Sequence, residues 1–357
     1  MRQKRREQVI RIIDSMGIDG CIIRGMENIF YLTGFRGSEA TFVMTRGDAF
    51  LLTDFRYITY ANEVAEGVKV CEVKKDRDVL TDICKRYEIK TLGFDSFHTT
   101  YSTYERLKTS LVGVELIPLK KDIEDIRRCK EPGEVNLIME AIDIATKAFR
   151  EVFDNIKPGR TEREIARELD YAMERLGAEK PSFDTIVASG ERAALPHAVP
   201  TDKKINKGET VIIDFGAQKD GYCSDETCTV IMGEVNGKLQ EIYKVVNDAR
   251  ILALEKTRPG LPLKELDTIV RGFIEDAGYG QYFGHGTGHG VGIAVHETPA
   301  INTVSEGILE ENMVITIEPG IYIPHLGGVR LEDMVFVCSQ EAKVLTHLRK
   351  DMLTVHV

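Results

Sequence analysis

The chain has 357 residues, of which 43% are apolar and 29% charged, a composition typical of a globular protein of about two domains. The formal net charge of −10 argues against nucleic acid as a partner, and no apolar run reaches the ~18 residues of a membrane span. The first residues lack the apolar run of a secretory signal, and the seven cysteines form no CxxC pair. We therefore expect reduced, mostly buried thiols and a cytoplasmic location.

Helix and strand patterns alternate through the first third of the chain. Apolar residues at near-helical spacing predict a helix over residues 8–16. Short apolar runs between Gly and Asp residues predict strands at 21–24, 40–45, 48–53, 69–73 and 92–95. This alternation indicates an α/β domain over residues 1–122. A charged stretch ending in Pro132 and Gly133 indicates a linker at 123–133.

The second predicted domain, residues 134–357, carries a faint internal duplication. It opens with helical patterns at about 134–153 and at 161–176, the latter with a capping box of Thr161 and Glu164. Residues 157–177 resemble residues 258–278 at an offset of 101. Residues 207–216 resemble residues 311–320 at an offset of 104, which aligns Asp214 with Glu318. The sequence therefore predicts that the two halves are copies of one unit, in which a helix is followed by strands. In each copy an acid lies at the end of an apolar run.

Four acids lie in or beside these apolar runs. Asp214 ends one run, and a turn at 219–221 would bring Asp225 to the same end of a hairpin. Glu318 and Glu332 lie fourteen residues apart on two further strands. Buried carboxylates are costly unless their charge is offset, and the only cation near them on these strands is Arg330. Metal is therefore the better explanation for the four acids.

A glycine-rich segment, residues 282–299, holds three histidines within twelve residues: His285, His289 and His296. Its glycines exclude a helix and allow the backbone to come close to a ligand. Four carboxylates and one imidazole form an oxygen-rich set that favours Mn²⁺ or Co²⁺ over a thiolate zinc site. Two divalent ions would balance the four negative charges, and a pair of ions suits amide hydrolysis.

The motifs together resemble those of the pita-bread metallopeptidases, in the branch of Xaa-Pro aminopeptidases and prolidases. The matching stretches are YLTGFRGSEA, LLTDFRY, LPHAVPTDKKINKGE, VIIDFGA, GYCSDETCTV, HGTGHGVGIAVHETP, TIEPGIYIP and GGVRLEDMV. The resemblance implies an α+β architecture, in which a smaller α/β creatinase-like domain precedes a duplicated, pseudo-twofold pita-bread catalytic domain. It also implies a homodimer and a site whose ligands are Asp214, Asp225, His289, Glu318 and Glu332. The residues implied around the substrate are His197, His285, His296 and Arg330.

The activity implied by the resemblance is that of an Xaa-Pro aminopeptidase, which removes the first residue of a peptide that has proline at position 2. Glu318 would pass the proton to the prolyl nitrogen, and Mn²⁺ is the expected metal, with Co²⁺ or Zn²⁺ as alternatives. The alternative activity is that of a prolidase, which cleaves dipeptides only, and a more remote one is a non-catalytic binding module. Cys228, Thr287 and Ala294 depart from the family pattern without removing a ligand, and we expect Cys228 to be buried.

Overall fold

The structure, a computed structural model, describes residues 2–74, 78–120 and 122–355, with only the backbone of Asp122. The ends of the predicted domain ranges, residue 1 and residues 356–357, lie outside the described residues. The chain separates into two compact units, Met1–Arg127 and Arg128–Val357. Among the described residues, none of the helices has the length and apolar character needed to cross a membrane.

The first unit is built on a six-stranded mixed sheet. Its helices are α1 (Arg2–Met16), α2 (Met26–Thr33), α3 (Ile58–Val64), α4 (Val79–Arg86), α5 (Tyr101–Ser110) and α6 (Asp122–Asp125). Its strands are β1 (Gly20–Ile23), β2 (Thr41–Thr45), β3 (Ala49–Thr53), β4 (Lys69–Glu72), β5 (Thr91–Asp95) and β6 (Glu115–Leu119). The sheet order is β4-β3-β2-β1-β5-β6. The predicted strands are confirmed. The central strand β1 is buried at all four positions, whereas β4 at the edge of the sheet has no fully buried residue.

The second unit holds four long helices and short sheets. Its helices are α7 (Pro132–Phe153), α8 (Glu162–Arg175), α9 (Gly237–Lys256) and α10 (Leu263–Asp276), with 3₁₀ turns at Gly190–Ala194 and Gly280–Tyr282. Its first strands are β7 (Lys180–Pro181), β8 (Ile186–Ser189), β9 (Thr210–Phe215), β10 (Ala217–Lys219), β11 (Tyr222–Cys223) and β12 (Glu226–Met232). The later strands are β13 (Gly288–Gly290), β14 (Glu297–Ile301), β15 (Val314–Ile317), β16 (Gly320–Ile323), β17 (Gly327–Arg330), β18 (Asp333–Val337), β19 (Ala342–Val344) and β20 (Leu353–Val355).

The duplication is visible in these elements. Both bounds of α10 lie 101 residues after those of α8, and the two helices have the same length of 14 residues. The predicted capping box of Thr161 and Glu164 is present at the start of α8. Strands β12-β9-β8 of the first half form one sheet, which β20 from the end of the chain extends, and the second half forms the sheet β14-β13-β15-β18-β19. Apolar faces of the helices pack on these sheets in two buried clusters, which hold the strands that carry the predicted acids in place.

The cysteines are free thiols, and Cys21, Cys84, Cys223 and Cys228 are buried. Cys228 is 1% exposed and packs in the apolar cluster of the first half. The expectation that it is a buried residue is therefore confirmed.

Candidate active site

The first pair of acids is brought together by a hairpin. Strands β10 and β11 pair across a two-residue turn, in which Asp220 and Gly221 both have positive φ, 47° and 81°. Two positive φ values give a tight turn of the type that matches strand twist. Beyond this turn β9 pairs with β12, with Asp214 opposite Thr227. Asp225, which directly precedes β12, thereby reaches the end of β9, as the turn at 219–221 predicts.

The second pair of acids lies where two antiparallel ladders meet. Strands β15 and β18 pair from Val314 to Ile317, and β16 and β17 pair with Gly320 opposite Arg330. Glu318 and Glu332 occupy the positions between these ladders, just outside the strands on which the sequence predicts them. The backbone N–H of Glu332 donates to the carbonyl of Thr227 at 3.1 Å, and the Thr227 hydroxyl donates to Glu332 Oε2 at 2.7 Å. These bonds tie the acids of the two halves together.

His289 lies at the centre of β13, between β14 and β15. Its glycine neighbours allow the adjacent strands to pack closely. A Cβ at Gly288 would lie 2.0 Å from the carbonyl oxygen of Thr316, and one at Gly290 would lie 2.4 Å from that of Thr298. Only glycine permits such a close approach of neighbouring strands.

The imidazole of His289 is oriented toward the acids. Its Nδ1 lies 3.1 Å from the carbonyl of Gly290, and because a carbonyl only accepts, Nδ1 carries the proton. The bare Nε2 lies 3.6 Å from Asp225 Oδ2 and 3.5 Å from Glu318 Oε1. Ligand atoms of Asp225, His289 and Glu332 all lie within 4.8 Å of one another. This is the arrangement of a histidine whose second nitrogen is held by a carbonyl while the first faces a metal.

The buried carboxylates repel one another. Burial raises the pKa of Asp225 well above its usual value, and the charges of Glu332, Asp214 and Glu318 raise it further. Burial also raises the pKa of Glu332 well above its usual value, with Glu318 and Asp214 adding to the effect. The pKa of Glu318 is raised to about 8, again chiefly by burial, although Arg330 opposes the shift. The site therefore favours protons or cations between its oxygens.

Arg330 is the buried cation beside these acids. Its guanidinium donates to Asp214 Oδ2 at 2.7 Å, to the Tyr322 hydroxyl at 3.0 Å and to the Pro196 carbonyl at 3.0 Å. Its Nε also donates to the Thr227 hydroxyl at 3.2 Å. Arg330 offsets one of the four negative charges and fixes the orientation of Asp214. Three charges remain to be offset.

The other histidines surround this cluster. His285 Nδ1 donates to the Gly286 carbonyl at 2.8 Å, and Nε2 then accepts from the Tyr322 hydroxyl at 2.8 Å. Burial lowers the pKa of His285 and of His289 to about 4, so both rings are neutral at neutral pH. The rings of His296 and His289 are 4.3 Å apart between centroids. Burial also lowers the pKa of His296, while His197 lies exposed on the loop before β9.

Two unpaired groups in the structure show that these residues fit a metal site. Asp214 Oδ1 is a buried oxygen with no hydrogen-bond partner among the described residues, although Oδ2 is bound by Arg330. The Nε2 lone pair of His289 faces two carboxylates at distances too long for hydrogen bonds. Unpaired carboxylate oxygens and a bare imidazole nitrogen form an oxygen-rich donor set suited to a divalent ion.

A cavity of about 600 Å³ opens onto this cluster, a size that suits a small ligand. The structure brings all the predicted site residues to its wall, namely His197, Asp214, Asp225, His285, His289, His296, Glu318, Arg330 and Glu332. Apolar side chains, including Phe183, Ile186, Val199 and Val295, line the remainder together with Asp184 and Asn302.

Tyr322 is a site residue that sequence reasoning missed. Its hydroxyl bridges Arg330 and His285, and burial raises its pKa to about 12. The signal available was weak, namely an aromatic residue on the strand that pairs with the strand of Arg330. Phe183 and Asn302 were also missed, because only the fold brings them to the cavity.

Comparison with known proteins agrees with the fold. Residues 136–339 match the model of metallopeptidase family M24, and residues 5–129 match that of the creatinase/prolidase N-terminal domain. An Xaa-Pro dipeptidase of Pyrococcus furiosus is 41% identical over 352 residues, which cover 98% of this chain and 100% of that one. The structure of an Xaa-Pro dipeptidase from Bacillus anthracis has a TM-score of 0.95 at 37% identity, with 99% and 100% of the two chains covered. That of an X-Pro aminopeptidase from Thermotoga maritima has a TM-score of 0.91 at 37% identity, with 98% and 99% covered.

Fold and site together define a metallopeptidase with a creatinase-like N-terminal domain and a pita-bread catalytic domain. The chain belongs to metallopeptidase family M24, in the branch that contains prolidases and Xaa-Pro aminopeptidases. The predicted family and fold class are thereby confirmed. Between the two predicted activities, the names of these relatives favour the alternative, prolidase, over the aminopeptidase.

Proposed function

We propose that this chain is an Xaa-Pro dipeptidase that hydrolyses the bond before proline with the help of two divalent metal ions. The observation that carries the proposal is the buried set of carboxylates around the bare Nε2 of His289, on the wall of a cavity sized for a small peptide. The substrate class rests on the dipeptidases from Pyrococcus furiosus and Bacillus anthracis, which this chain resembles over nearly its whole length.

The proposed ligands are Asp214, Asp225, His289, Glu318 and Glu332. Mn²⁺ is the preferred candidate, with Co²⁺ or Zn²⁺ as alternatives, because oxygen donors predominate in the set. Arg330 already offsets one carboxylate, so two divalent ions would leave the cluster near neutrality. When bound, such ions lower the pKa of water and polarise a carbonyl.

The chain's own residues would carry the proton and hold the substrate. Water adds its oxygen to the carbonyl carbon before proline, the C–N bond breaks, and one proton passes from water to the prolyl nitrogen. Glu318 is proposed as the group that accepts and then delivers this proton, because its carboxylate lines the cavity and its Oε1 lies 3.5 Å from the Nε2 of His289.

Three histidines on the cavity wall, His197, His285 and His296, are proposed to bind the peptide. His296 lies beside His289 on the cavity wall, where a donated N–H would stabilise the developing oxyanion. His197 and His285 would position the substrate from the cavity wall, and Arg330 would keep Asp214 in place. Phe183 and Val295 supply apolar surface for the side chain or the proline ring.

An Xaa-Pro aminopeptidase is the second candidate function. It is favoured by the X-Pro aminopeptidase structure from Thermotoga maritima, which matches this chain with a TM-score of 0.91. The two activities share their chemistry and differ in whether the cavity accepts a chain that continues beyond proline.

The deciding experiment begins with protein stripped by chelator and reloaded separately with Mn²⁺, Co²⁺ or Zn²⁺. Turnover of Ala-Pro is then compared with turnover of Ala-Pro-Ala, and a dipeptidase should cleave only the first. Preference for the tripeptide would support the aminopeptidase, and metal binding without any turnover would support a binding module. Activity that survives complete metal removal would overturn the metal-dependent mechanism.

A matched pair of variants tests the residue roles. Asp214→Ala should lower metal content and turnover together, because it removes a ligand. His296→Ala should keep its metal and lose kcat by about 10²–10³-fold, as expected for loss of an oxyanion donor. Normal kcat in His296→Ala would refute its assigned role.

The proposed enzyme is a homodimer that acts in the cytoplasm. The family resemblance supports the dimer, and the free thiols of the seven cysteines support the location. Light scattering during gel filtration would test the dimer, and cell fractionation would test the location.

A further inference from the structure

A second buried charge cluster, which the proposed chemistry does not use, lies behind the acids. It consists of Glu226, Asp333 and Lys350, whose side chains are only 2%, 3% and 2% exposed. Lys350 Nζ donates to Glu226 Oε1 and lies 4.0 Å from Asp333 Oδ1. Asp333 also accepts bonds from Arg250 and, at 2.6 Å, from the Thr346 hydroxyl. We call these three residues, Glu226, Asp333 and Lys350, the rear cluster.

The rear cluster is joined directly to the proposed ligands through the backbone. Glu226 follows Asp225, and Asp333 follows Glu332. Because successive side chains in extended backbone point to opposite faces, each ligand faces the cavity while its neighbour faces backward. Asp225 and Glu332 line the cavity, whereas Glu226 and Asp333 meet at Lys350. One ammonium group therefore holds both ligand-bearing segments from behind.

Lys350 comes from the end of the chain, outside the matched family range of 136–339. This C-terminal segment, residues 345–355, crosses behind the site. It begins with a bond from the Leu345 N–H to the Met334 carbonyl at 2.9 Å, and it ends as β20, which pairs in parallel with β12. Between these points the Leu348 N–H donates to Glu226 Oε1 at 3.3 Å, and the Tyr243 hydroxyl donates to the Asp351 carbonyl at 3.1 Å.

We propose that Lys350 is a positioning residue for the metal centre and that the C-terminal segment serves to deliver it. The proposal rests on the ligand set of the proposed function. Without Lys350, Glu226 would keep a buried charge with no cation, since Arg250 is bonded to Asp333. Such a carboxylate no longer has the contact that holds it in place, and it moves from its present position. That movement shifts Asp225 through the shared peptide unit and separates it from Glu332.

The test measures Mn²⁺ binding by calorimetry on the full-length, chelator-stripped chain. Lys350→Met should bind Mn²⁺ about 10–100-fold more weakly, the loss typical when a group that orients a ligand is removed. Lys350→Arg keeps the cation and should bind close to wild type. Should Lys350→Met lower the melting temperature of the metal-free chain yet keep the wild-type Kd, the residue would be merely structural and the proposal would be overturned.

A double variant guards against failure to fold. Glu226→Gln with Lys350→Met removes both charges of the pair, and it should recover most of the lost Mn²⁺ affinity. No recovery in a folded double variant would contradict the charge argument. Lys203→Met is the matched control, because it removes an ammonium bound to Glu209 within the same unit but outside the rear cluster. It should leave the Kd unchanged, and an equal loss in it would also contradict the proposal.

One further variant separates this proposal from the ligand assignment. Asp225→Ala should abolish binding of at least one Mn²⁺ ion. Wild-type stoichiometry in Asp225→Ala would overturn the ligand set, whatever Lys350 does. Loss of metal in Asp225→Ala, with the wild-type Kd in Lys350→Met, would overturn the positioning role alone.

Discussion

Glu318→Gln in the metal-free chain tests the electrostatics of the site most directly. Burial raises the folded-state pKa of Glu318 from 4.5 to about 8. The folded chain therefore keeps a proton that the unfolded chain releases over this range. The contribution of Glu318 to stability is fully present below about pH 4.5 and is lost as the pH rises to about 8. Glutamine has a similar shape and does not titrate, so the variant loses this dependence.

The size of this pH dependence follows from the release of one proton on unfolding. Each pH unit in this interval lowers the free energy of unfolding by about 1.4 kcal/mol for a group protonated only in the folded state. From the unfolded to the folded pKa of Glu318 the total is about 5 kcal/mol. Burial also raises the pKa values of Asp225 and Glu332, and the charge of Glu318 raises them further. The difference between the two proteins therefore reports the titration of Glu318 together with its repulsion of these two acids.

The assay is urea unfolding followed by circular dichroism in excess chelator, at intervals from pH 5 to pH 8. The wild-type free energy of unfolding should fall with pH more steeply than that of Glu318→Gln, by about 1.4 kcal/mol per pH unit. Glu255→Gln, at an exposed position on α9, is the control and should follow the wild-type slope. Parallel curves for Glu318→Gln and wild type would refute the placement of Glu318 among buried, mutually repelling acids.

The remaining predictions concern packing and buried polar contacts, and urea unfolding measures each of them. Gly288→Ala should cost about 1–3 kcal/mol, because its Cβ would lie 2.0 Å from a carbonyl oxygen of β15. Gly272→Ala on α10 meets no atom within 4 Å and should instead stabilise by about 0.5–1 kcal/mol, and equal effects would contradict the packing argument. Tyr322→Phe should cost about 1–3 kcal/mol by leaving Arg330 and its histidine neighbour short of a partner. Lys130→Met should cost about 3–5 kcal/mol, since its glutamate partner is 2% exposed, and a loss below 1 kcal/mol would refute that pairing.

The site was predictable where short-range patterns control the geometry. A turn of Lys219, Asp220 and Gly221 permits one register, and that register places Asp225 beside the end of β9. Because the second half repeats the first, the sequence also predicts that Glu318 and Glu332 form a pair. These acids could be paired from the sequence because each stands at the end of an apolar strand, where few other roles would justify a buried charge.

Other features depend on contacts between residues far apart in the chain. Arg330 reaches Asp214 across 116 positions, and Lys350 reaches Glu226 across 124. No local sequence pattern predicts which acid Arg330 or Lys350 will contact, because a lysine in a polar stretch of sequence is usually a solvated side chain. The glycines of β13 show the same limit. Their number excluded a helix, but their purpose, close approach to Thr298 and Thr316, became apparent only once the strands were paired.

The order of residues alone predicted strands β1 to β5, the turn at 219–221 and the acids and histidines that could serve a metal, because those predictions depend on periodicity and on neighbours a few positions away. The tertiary structure decided which cation each acid meets, which histidine nitrogen faces the cluster and which apolar side chains line the cavity. Those outcomes depend on burial and on electrostatic interactions between distant segments, which exist only after the two halves have packed together.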